Sequence, residues 1–282
     1  MTLHADTDLA MRIEAAVVED FVAFGEQGAT MFPEDDPCLL DVAGGVALFL
    51  AAGSPMNQAT GLGFAGPVSP ADIADLEEFF SARSTEASLM LAPLAHPTLV
   101  DAVAERGFRP TGFENVLGLE LDDSVAARLI GEARAETAES TGIVIREART
   151  EDERALWARA NIEGFVAPLD PTPAHLHLAQ LMAAQTDMTL LLALVDGQLA
   201  GSSALRIRDT DAWLLADSTL PDYRRRGVQQ ALQRHRLGLG LEAGCEVAFT
   251  EARPGSSSQR NMERLGFRVL YTRVDVVAPA VA

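Results

Sequence analysis

The sequence predicts a mixed α/β protein built as two tandem domains of one type, each a mixed β-sheet flanked by helices. Three observations predict it. The chain has 282 residues, more than one ordinary domain needs and comfortable for two. Helical and strand patterns alternate with hairpins between them, which implies a mixed sheet rather than a doubly wound parallel one. A short phrase also recurs, Glu105-Arg106-Gly107-Phe108-Arg109 in the first half and Glu263-Arg264-Leu265-Gly266-Phe267-Arg268 in the second. In each, the glycine stands where a helix must stop and a strand begin, a place that calls for left-handed torsion. Its similar position in two halves of similar length points to an internal duplication.

The elements of the second half follow in order. Ile143–Arg149 reads as a strand. Thr150 caps a helix to about Ala160, with Glu153 completing a capping box. Pro173–Ala184 is a helix. Thr189–Val195 and Leu199–Ile207 are strands around an Asp196-Gly197 hairpin turn. Trp213–Leu220 is a strand, Gly227–Ala243 a helix, Cys245–Glu251 a strand, Ser256–Leu265 a helix and Phe267–Val277 the last strand. The first half is thinner. It reads as a helix over Leu9–Phe24, strands over Cys38–Val42, Val46–Ala51 and Asn57–Phe64, a helix over Pro70–Ala82 and a strand over Ser88–Ala92. A helix over Pro97–Arg106 and a strand over Phe113–Leu121 complete it. The expected division is a first domain over 1–125, a connecting segment over 126–141 with a helix from Ala126 to Ser140, and a second domain over 142–282.

Composition narrows the function. Hydrophobic residues make up 48% and charged residues 22%, the balance of a packed chain rather than a disordered one. The formal net charge of -19 repels phosphate backbones and anionic lipid, so neither nucleic acid nor membrane is an expected partner. It attracts small cationic molecules, amines among them. Two cysteines, Cys38 and Cys245, stand far apart in no metal-ligand spacing, which fits a reducing cytoplasm. The apolar runs Val42–Ala52 and Leu190–Val195 fall short of the roughly 20 residues that span a bilayer. Asp6, Asp8 and Glu14 stand where a secretory leader would carry basic residues and an apolar run. The expectation is a soluble cytoplasmic monomer or homodimer.

The segment that carries chemistry is Leu220-Pro221-Asp222-Tyr223-Arg224-Arg225-Arg226-Gly227-Val228-Gln229-Gln230. It follows a strand and opens a helix whose apolar residues (Val228, Ala231, Leu232, Leu239, Ala243) have helical spacing. Such a junction aims unpaired backbone N–H groups and the positive end of the helix dipole at one spot. Gly227 has no Cβ to keep an anion away, and three consecutive arginines add positive potential. A diphosphate is the natural guest; a solvated basic turn is the plainer alternative.

With its preceding strand, the Leu-Pro-x-Tyr lead-in and the later Gly-Phe, this segment resembles the GNAT superfamily of acyl-CoA-dependent N-acyltransferases. The superfamily signature, Arg/Gln-x-x-Gly-x-Gly/Ala, is matched by Arg224-x-x-Gly227-x-Gln229, and the likeness of element order covers about residues 142–277. The resemblance implies acetyl-CoA as cosubstrate and no metal, with its pyrophosphate held by backbone N–H groups of Arg224, Arg225, Arg226, Gly227, Val228, Gln229 and Gln230. It also implies that pantetheine pairs with the strand end Asp217, Ser218, Thr219 and Leu220 as an added strand. Gln229 departs from the signature's small residue, and its side chain must point away from the phosphates. The following helix would touch pantetheine through Ser258 and Asn261, the latter alternatively a cap or a solvent-facing residue. Met262 stands where members often carry a tyrosine, and methionine cannot protonate a thiolate.

Acyl transfer to an amine also needs a base and an acid. Asp217 and Glu251, on strands flanking the expected cleft, are candidate bases, each alternatively a structural hydrogen-bonding group. Tyr271 is a weak candidate acid. His175 and His177, two apart on a helix, face different ways and lack partners at metal-ligand spacing. The corresponding junction of the first half, Gly63-Phe64-Ala65-Gly66-Pro67-Val68-Ser69-Pro70, has no arginine and two prolines that remove donors, so the first half is expected to be degenerate and to bind no coenzyme. The expected function is transfer of an acetyl group from acetyl-CoA to a small-molecule amine acceptor. Two alternatives stay open: a non-catalytic acyl-CoA-binding or sensing protein, and an unrelated nucleotide-binding protein, which the sequence disfavours by lacking a Walker lysine and a Gly-x-Gly-x-x-Gly.

Overall fold

The structure, a computed structural model, describes residues 3–135 and 142–279. Its elements are α1 (Thr7–Met31), β1 (Cys38–Val42), β2 (Gly45–Phe49), β3 (Gln58–Thr60), α2 (Pro70–Ser81), β4 (Ser88–Leu91), α3 (Thr98–Glu105), β5 (Arg109–Glu120) and α4 (Asp123–Ala135). They continue with β6 (Ile143–Glu147), α5 (Glu151–Val166), α6 (Pro173–Ala184), β7 (Met188–Val195), β8 (Gln198–Arg208), β9 (Asp211–Thr219), α7 (Val228–Glu242), β10 (Val247–Ala252), α8 (Ser257–Arg264) and β11 (Arg268–Val277). The architecture is the expected mixed sheet flanked by helices. The expected connecting helix is met by α4 as far as Ala135, and residues 136–141 lie outside the described ones.

Two compact units divide the chain, and they interleave in sequence. One, the α1 unit, comprises His4–Val116, Ala252–Ser256 and the chain from Val269; the other, the α7 unit, is built chiefly from Leu117–Glu251 and Ser257–Arg268. In the α1 unit the strand order is β1-β2-β3-β4-β11. There β11 runs antiparallel to β4, with Val274 opposite Leu91 and Val277 opposite Ser88. Ile73, Leu76 and Phe80 of α2 pack with Leu89 and Val276 into this unit's core. In the α7 unit the order is β10-β9-β8-β7-β6, and the end of β5 lies beside β10, where Leu121 N–H donates to Glu246 O at 2.7 Å. Strand β11, after the second Gly-Phe phrase, thus completes the sheet built from the first half's sequence, whereas only the end of β5, from Leu117, belongs to the unit built from the second half.

Two elements differ in length from the pattern reading. Helix α1 runs seven residues beyond Phe24, through Gly25 and Gly28, residues that weaken an isolated helix. Packing reverses that preference: a Cβ on Gly25 would come within 2.7 Å of Leu39 Cγ, so glycine lets the helix lie close to β1. Strand β3 shrinks to Gln58–Thr60 because Gly61 and Gly63 turn left-handed, at φ 74° and 81°.

Local chemistry in the α7 unit follows the sequence closely. Asp196 and Gly197, at φ 51° and 77°, make the tight β7–β8 hairpin. Thr150 and Glu153 close a reciprocal capping box on α5. The Glu153 carboxyl is held down to about 2 by the N–H of Thr150, then that of Arg149 and the Arg146 guanidinium. Trp157 of α5 is fully buried and donates its indole N–H to Ser203 O at 2.8 Å, which seats the helix on β8.

Candidate functional site

Helix α7 begins at Gly227, whose φ of 82° is left-handed, and no side chain caps its first N–H groups. Arg225, two residues earlier, is also left-handed at φ 64°. Left-handed residues alternating with a right-handed or extended one turn successive backbone N–H groups toward one side, a concave anion site. The helix is seated by Val228 and Leu232, both buried against Leu191, Ala193 and Ala200 of β7 and β8. A Cβ at Gly227 would meet no atom nearer than Ile143 Cδ1 at 3.9 Å, so the space above the turn is left open by the protein itself.

The three arginines do different work. Arg224 reaches back and donates to Gly164 O at 3.0 Å, tying the turn to the end of α5. Arg226 lies 3.3 Å from Asp196 and over the Tyr223 ring at 5.4 Å. Arg225 has no hydrogen-bonding or ion-pairing partner among the described residues, and it lines the cleft. A free guanidinium beside open N–H groups is what a phosphate needs.

The strand that leads into this turn is bent. Between the pairs Ala204–Leu215 and Ser202–Ser218, β9 has one more residue than β8, a β-bulge in which Ala216 is left-handed at φ 55°. On its other side β9 pairs in parallel with β10 only from Asp211 to Trp213. Thr250 Oγ1 donates to Leu214 O at 3.0 Å where the strands part. From there to Thr219, β9 presents a backbone edge not taken up by β10. Gly164 lets α5 approach this end closely, since a Cβ there would lie 2.0 Å from Ser218 Oγ.

Edge and turn open into one cleft of about 640 Å³ within the α7 unit, closed on its far side by α8 through Ser257, Asn261 and Arg264. Gln229 leans toward α8: Asn261 Nδ2 donates to Gln229 Oε1 at 2.7 Å, and Gln229 Nε2 to Ser258 Oγ at 3.3 Å. Its side chain therefore leaves the helix N-terminus uncovered, and Asn261 also accepts from Arg264 at 3.1 Å.

The structure gathers Asp217, Ser218, Thr219, Arg224, Arg225, Gly227, Val228, Gln229, Gln230 and Asn261 around this cleft, with Ser258 in contact through Gln229. Leu220 N–H bonds Ala200 O at 3.0 Å, and Arg226 sits at the rim with Asp196. Asp217 is ion-paired with Arg236, a guanidinium with no exposed surface. Glu251, half-buried on β10, is not among the cleft-lining residues. Tyr271 belongs to the α1 unit, where its hydroxyl donates to buried Glu14 at 2.7 Å; Arg273 Nε donates to the same oxygen at 2.7 Å. Met262 is fully buried. His175 completes the α6 capping box with Thr172, and no cluster of three or more potential metal ligands occurs among the described residues.

Two residues that the pattern reading passed over complete the site. Arg236 and Asn161 grip the bulge from opposite helices: Arg236 Nη1 donates to Ala204 O and Leu215 O, each at 3.1 Å, and Asn161 Nδ2 to Ala216 O at 2.7 Å. The signal was present, since each is a polar residue beside apolar neighbours on its helix, but only the freed carbonyls give it meaning.

A bulged strand with one free edge runs into a helix N-terminus without a side-chain cap, an arrangement whose chemistry suits an extended, phosphate-bearing ligand. Residues 145–267 match the sequence model of the Acetyltransferase (GNAT) family, and this segment belongs to the GNAT superfamily. No curated protein sequence matches the chain. Among solved structures, it is similar to a GCN5-related N-acetyltransferase from Kribbella flavida, 18% identical over 92% of this chain and 95% of that one, with a TM-score of 0.60. A tandem GNAT protein from the clavulanic acid biosynthesis pathway is 17% identical over 92% of this chain and 88% of that one, with a TM-score of 0.61. A GCN5-related N-acetyltransferase from Sphaerobacter thermophilus is 18% identical over 74% and 68%, with a TM-score of 0.54. At these identities the likeness is one of fold, and the fold is that of tandem GNAT proteins.

Proposed function

We propose that this protein is an N-acetyltransferase that uses acetyl-CoA and a small-molecule amine acceptor, with the site in the α7 unit. The observation that carries the reading is the junction of β9 and α7: open N–H groups at Gly227, Val228 and Gln229, a partnerless Arg225 and an unpaired strand edge meet in one cleft. The turn would hold the pyrophosphate, and the backbone of Asp217–Thr219 would pair with pantetheine. When bound, acetyl-CoA supplies the thioester, whose acyl carbon takes the amine nitrogen as the C–S bond breaks and the thiol leaves. Backbone N–H groups at the bulge would stabilise charge on the carbonyl oxygen. The amine's proton passes to a carboxylate, Asp217 or Glu251, or to water, and the departing sulfur takes its proton from water. Both cysteines are free thiols, in keeping with a cytoplasmic setting, and among the described residues no helix is long and apolar enough to cross a membrane.

The commitment of Asp217 to Arg236 and the burial of Met262 favour one second reading, a protein that binds acyl-CoA without transferring it. A panel of amines incubated with acetyl-CoA, read by thiol release, separates the two. Thiol release that requires an amine is expected; tight coenzyme binding with no release across the panel would give preference to the second reading.

A further inference from the structure

The bulge of β9 is held by side chains from two helices, and this grip does more than fill space. Arg236 is fully buried, and a buried guanidinium is costly unless each of its donors is used. Here Nη1 and Nη2 are used on the bulge. Nη1 sits between Ala204 O and Leu215 O at 3.1 Å from each, the pair of residues at which the ladder goes out of register. Nη2 holds the Asp217 carboxylate, and Nε bonds Leu232 O of its own helix at 3.3 Å. From the opposite side, Asn161 Nδ2 holds Ala216 O at 2.7 Å. Ser218 Oγ donates to the α5 backbone, lying 2.9 Å from Asn161 O. Each residue from Leu215 to Ser218 is thereby pinned to α5 or α7. The residue so enclosed, Ala216, has a left-handed φ of 55°, which an L-residue with a Cβ adopts only under constraint. An apolar side chain would pack as well as Arg236 does, but it could not bind the carbonyls that the bulge frees.

We propose that Arg236 and Asn161 are positioning residues: they hold Ala216 left-handed and so aim the free edge of Asp217–Thr219 at the acyl group. The proposal rests on the acetyl-transfer reading above. It separates two tasks, since the phosphates are gripped at the N-terminus of α7 while the acyl end is placed by the bulge.

Arg236→Lys keeps the charge, but one ammonium nitrogen cannot stand both between the two carbonyls and against Asp217. Steady-state transfer to an amine that the wild type accepts, and calorimetric affinity for acetyl-CoA, are measured on the full chain. In Arg236→Lys, kcat is expected to fall by about 100-fold, the cost of a small misplacement of reacting groups. The coenzyme Kd should change by less than about threefold, since the arginine turn is untouched. Adding Ala216→Gly, which makes left-handed torsion easy, should recover kcat by at least about fivefold. Asn161→Ala removes one grip and no charge; a fall of about tenfold in kcat with Kd held, again eased by Ala216→Gly, supports the proposal even if the lysine variant does not fold. Full kcat in Arg236→Lys or in Asn161→Ala overturns it. So does a parallel loss of kcat and affinity that Ala216→Gly leaves unrelieved, the mark of a merely structural role. A wild type that binds acetyl-CoA but acetylates no amine rejects the transfer reading itself, before any variant is made.

Discussion

Two strand-to-helix junctions of this chain start from similar material and end in opposite states. In the α1 unit, β3 leads through a glycine-rich loop into α2; in the α7 unit, β9 leads through the arginine turn into α7. At the first, Ser69 accepts from Asp72 N–H at 3.3 Å, while the Asp72 carboxylate accepts from Ser69 N–H and Oγ, each at 2.7 Å. Pro70 removes a further donor. The helix has closed its own N-terminus and placed a carboxylate where an external anion would lie. At the second, the cap position is Gly227 and no side chain answers the open N–H groups. Side chains also cap α1, α5 and α6, through Asp6, Thr150 and Thr172. What separates the two junctions is thus the cap as much as the arginines: the N-terminus of α2 is closed by its own side chains, and that of α7 is left open to an anion.

The comparison can be broken from either side. The largest effect belongs to Gly227→Val: a β-branched residue at φ 82° is strained, and its methyls would project where the phosphates approach. Acetyl-CoA affinity should fall by about 100-fold or more, about 3 kcal/mol at 25 °C, in calorimetry of the full chain. Gln230 is the third residue of α7, as Asp72 is of α2. Gln230→Glu should copy the closed state and weaken coenzyme binding about tenfold with no loss of thermal stability. Unchanged affinity there would show that the open cap is not the binding feature.

Smaller effects sort the arginines. Arg225, without a partner, should cost about five- to tenfold in affinity when changed to Ala, and the loss should shrink as salt rises. Arg226, already shared with Asp196, should cost no more than about twofold. The smallest effect concerns a closed cap. Glu153 occupies the N-terminus of α5 with its carboxyl lowered from 4.5 to about 2. A group depressed on folding stabilises the fold above its ordinary value and loses that contribution as pH falls from about 4.5 toward 2. Glu153→Gln should therefore lower the melting temperature slightly at neutral pH, by a difference that shrinks as pH falls from about 4.5 toward 2, so that the acid limb of its thermal-melt profile is flatter than the wild type's.

Local chemistry was readable in advance where it is set by neighbours in sequence. The Asp196-Gly197 hairpin, the Thr150–Glu153 box and the arginine turn each depend on residues a few positions apart. The fate of the last strands was not readable: Phe108 and Phe267 follow the same kind of glycine stop, and nothing in either phrase says which sheet the next strand will join. Propensity ends helix α1 at Phe24, since it counts Gly25 against a helix, whereas the close approach to Leu39 decides the matter. Arg236 illustrates the same limit within the site. Its partners, Ala204 O, Leu215 O and Asp217, lie 19 or more residues away, and two of them are backbone groups that become available only once β9 bulges. Of the proposed catalytic groups, Asp217 reaches the cleft and Tyr271 is engaged with Glu14 in the other unit, a distinction that no spacing along the chain encodes.

The contrast between an open and a closed junction is tested most directly by counting sites. Calorimetric titration of acetyl-CoA into the full chain should find one site per chain, weakened by salt and lost in Gly227→Val. Two sites per chain, or a single site that persists unaltered in Gly227→Val, would contradict the account.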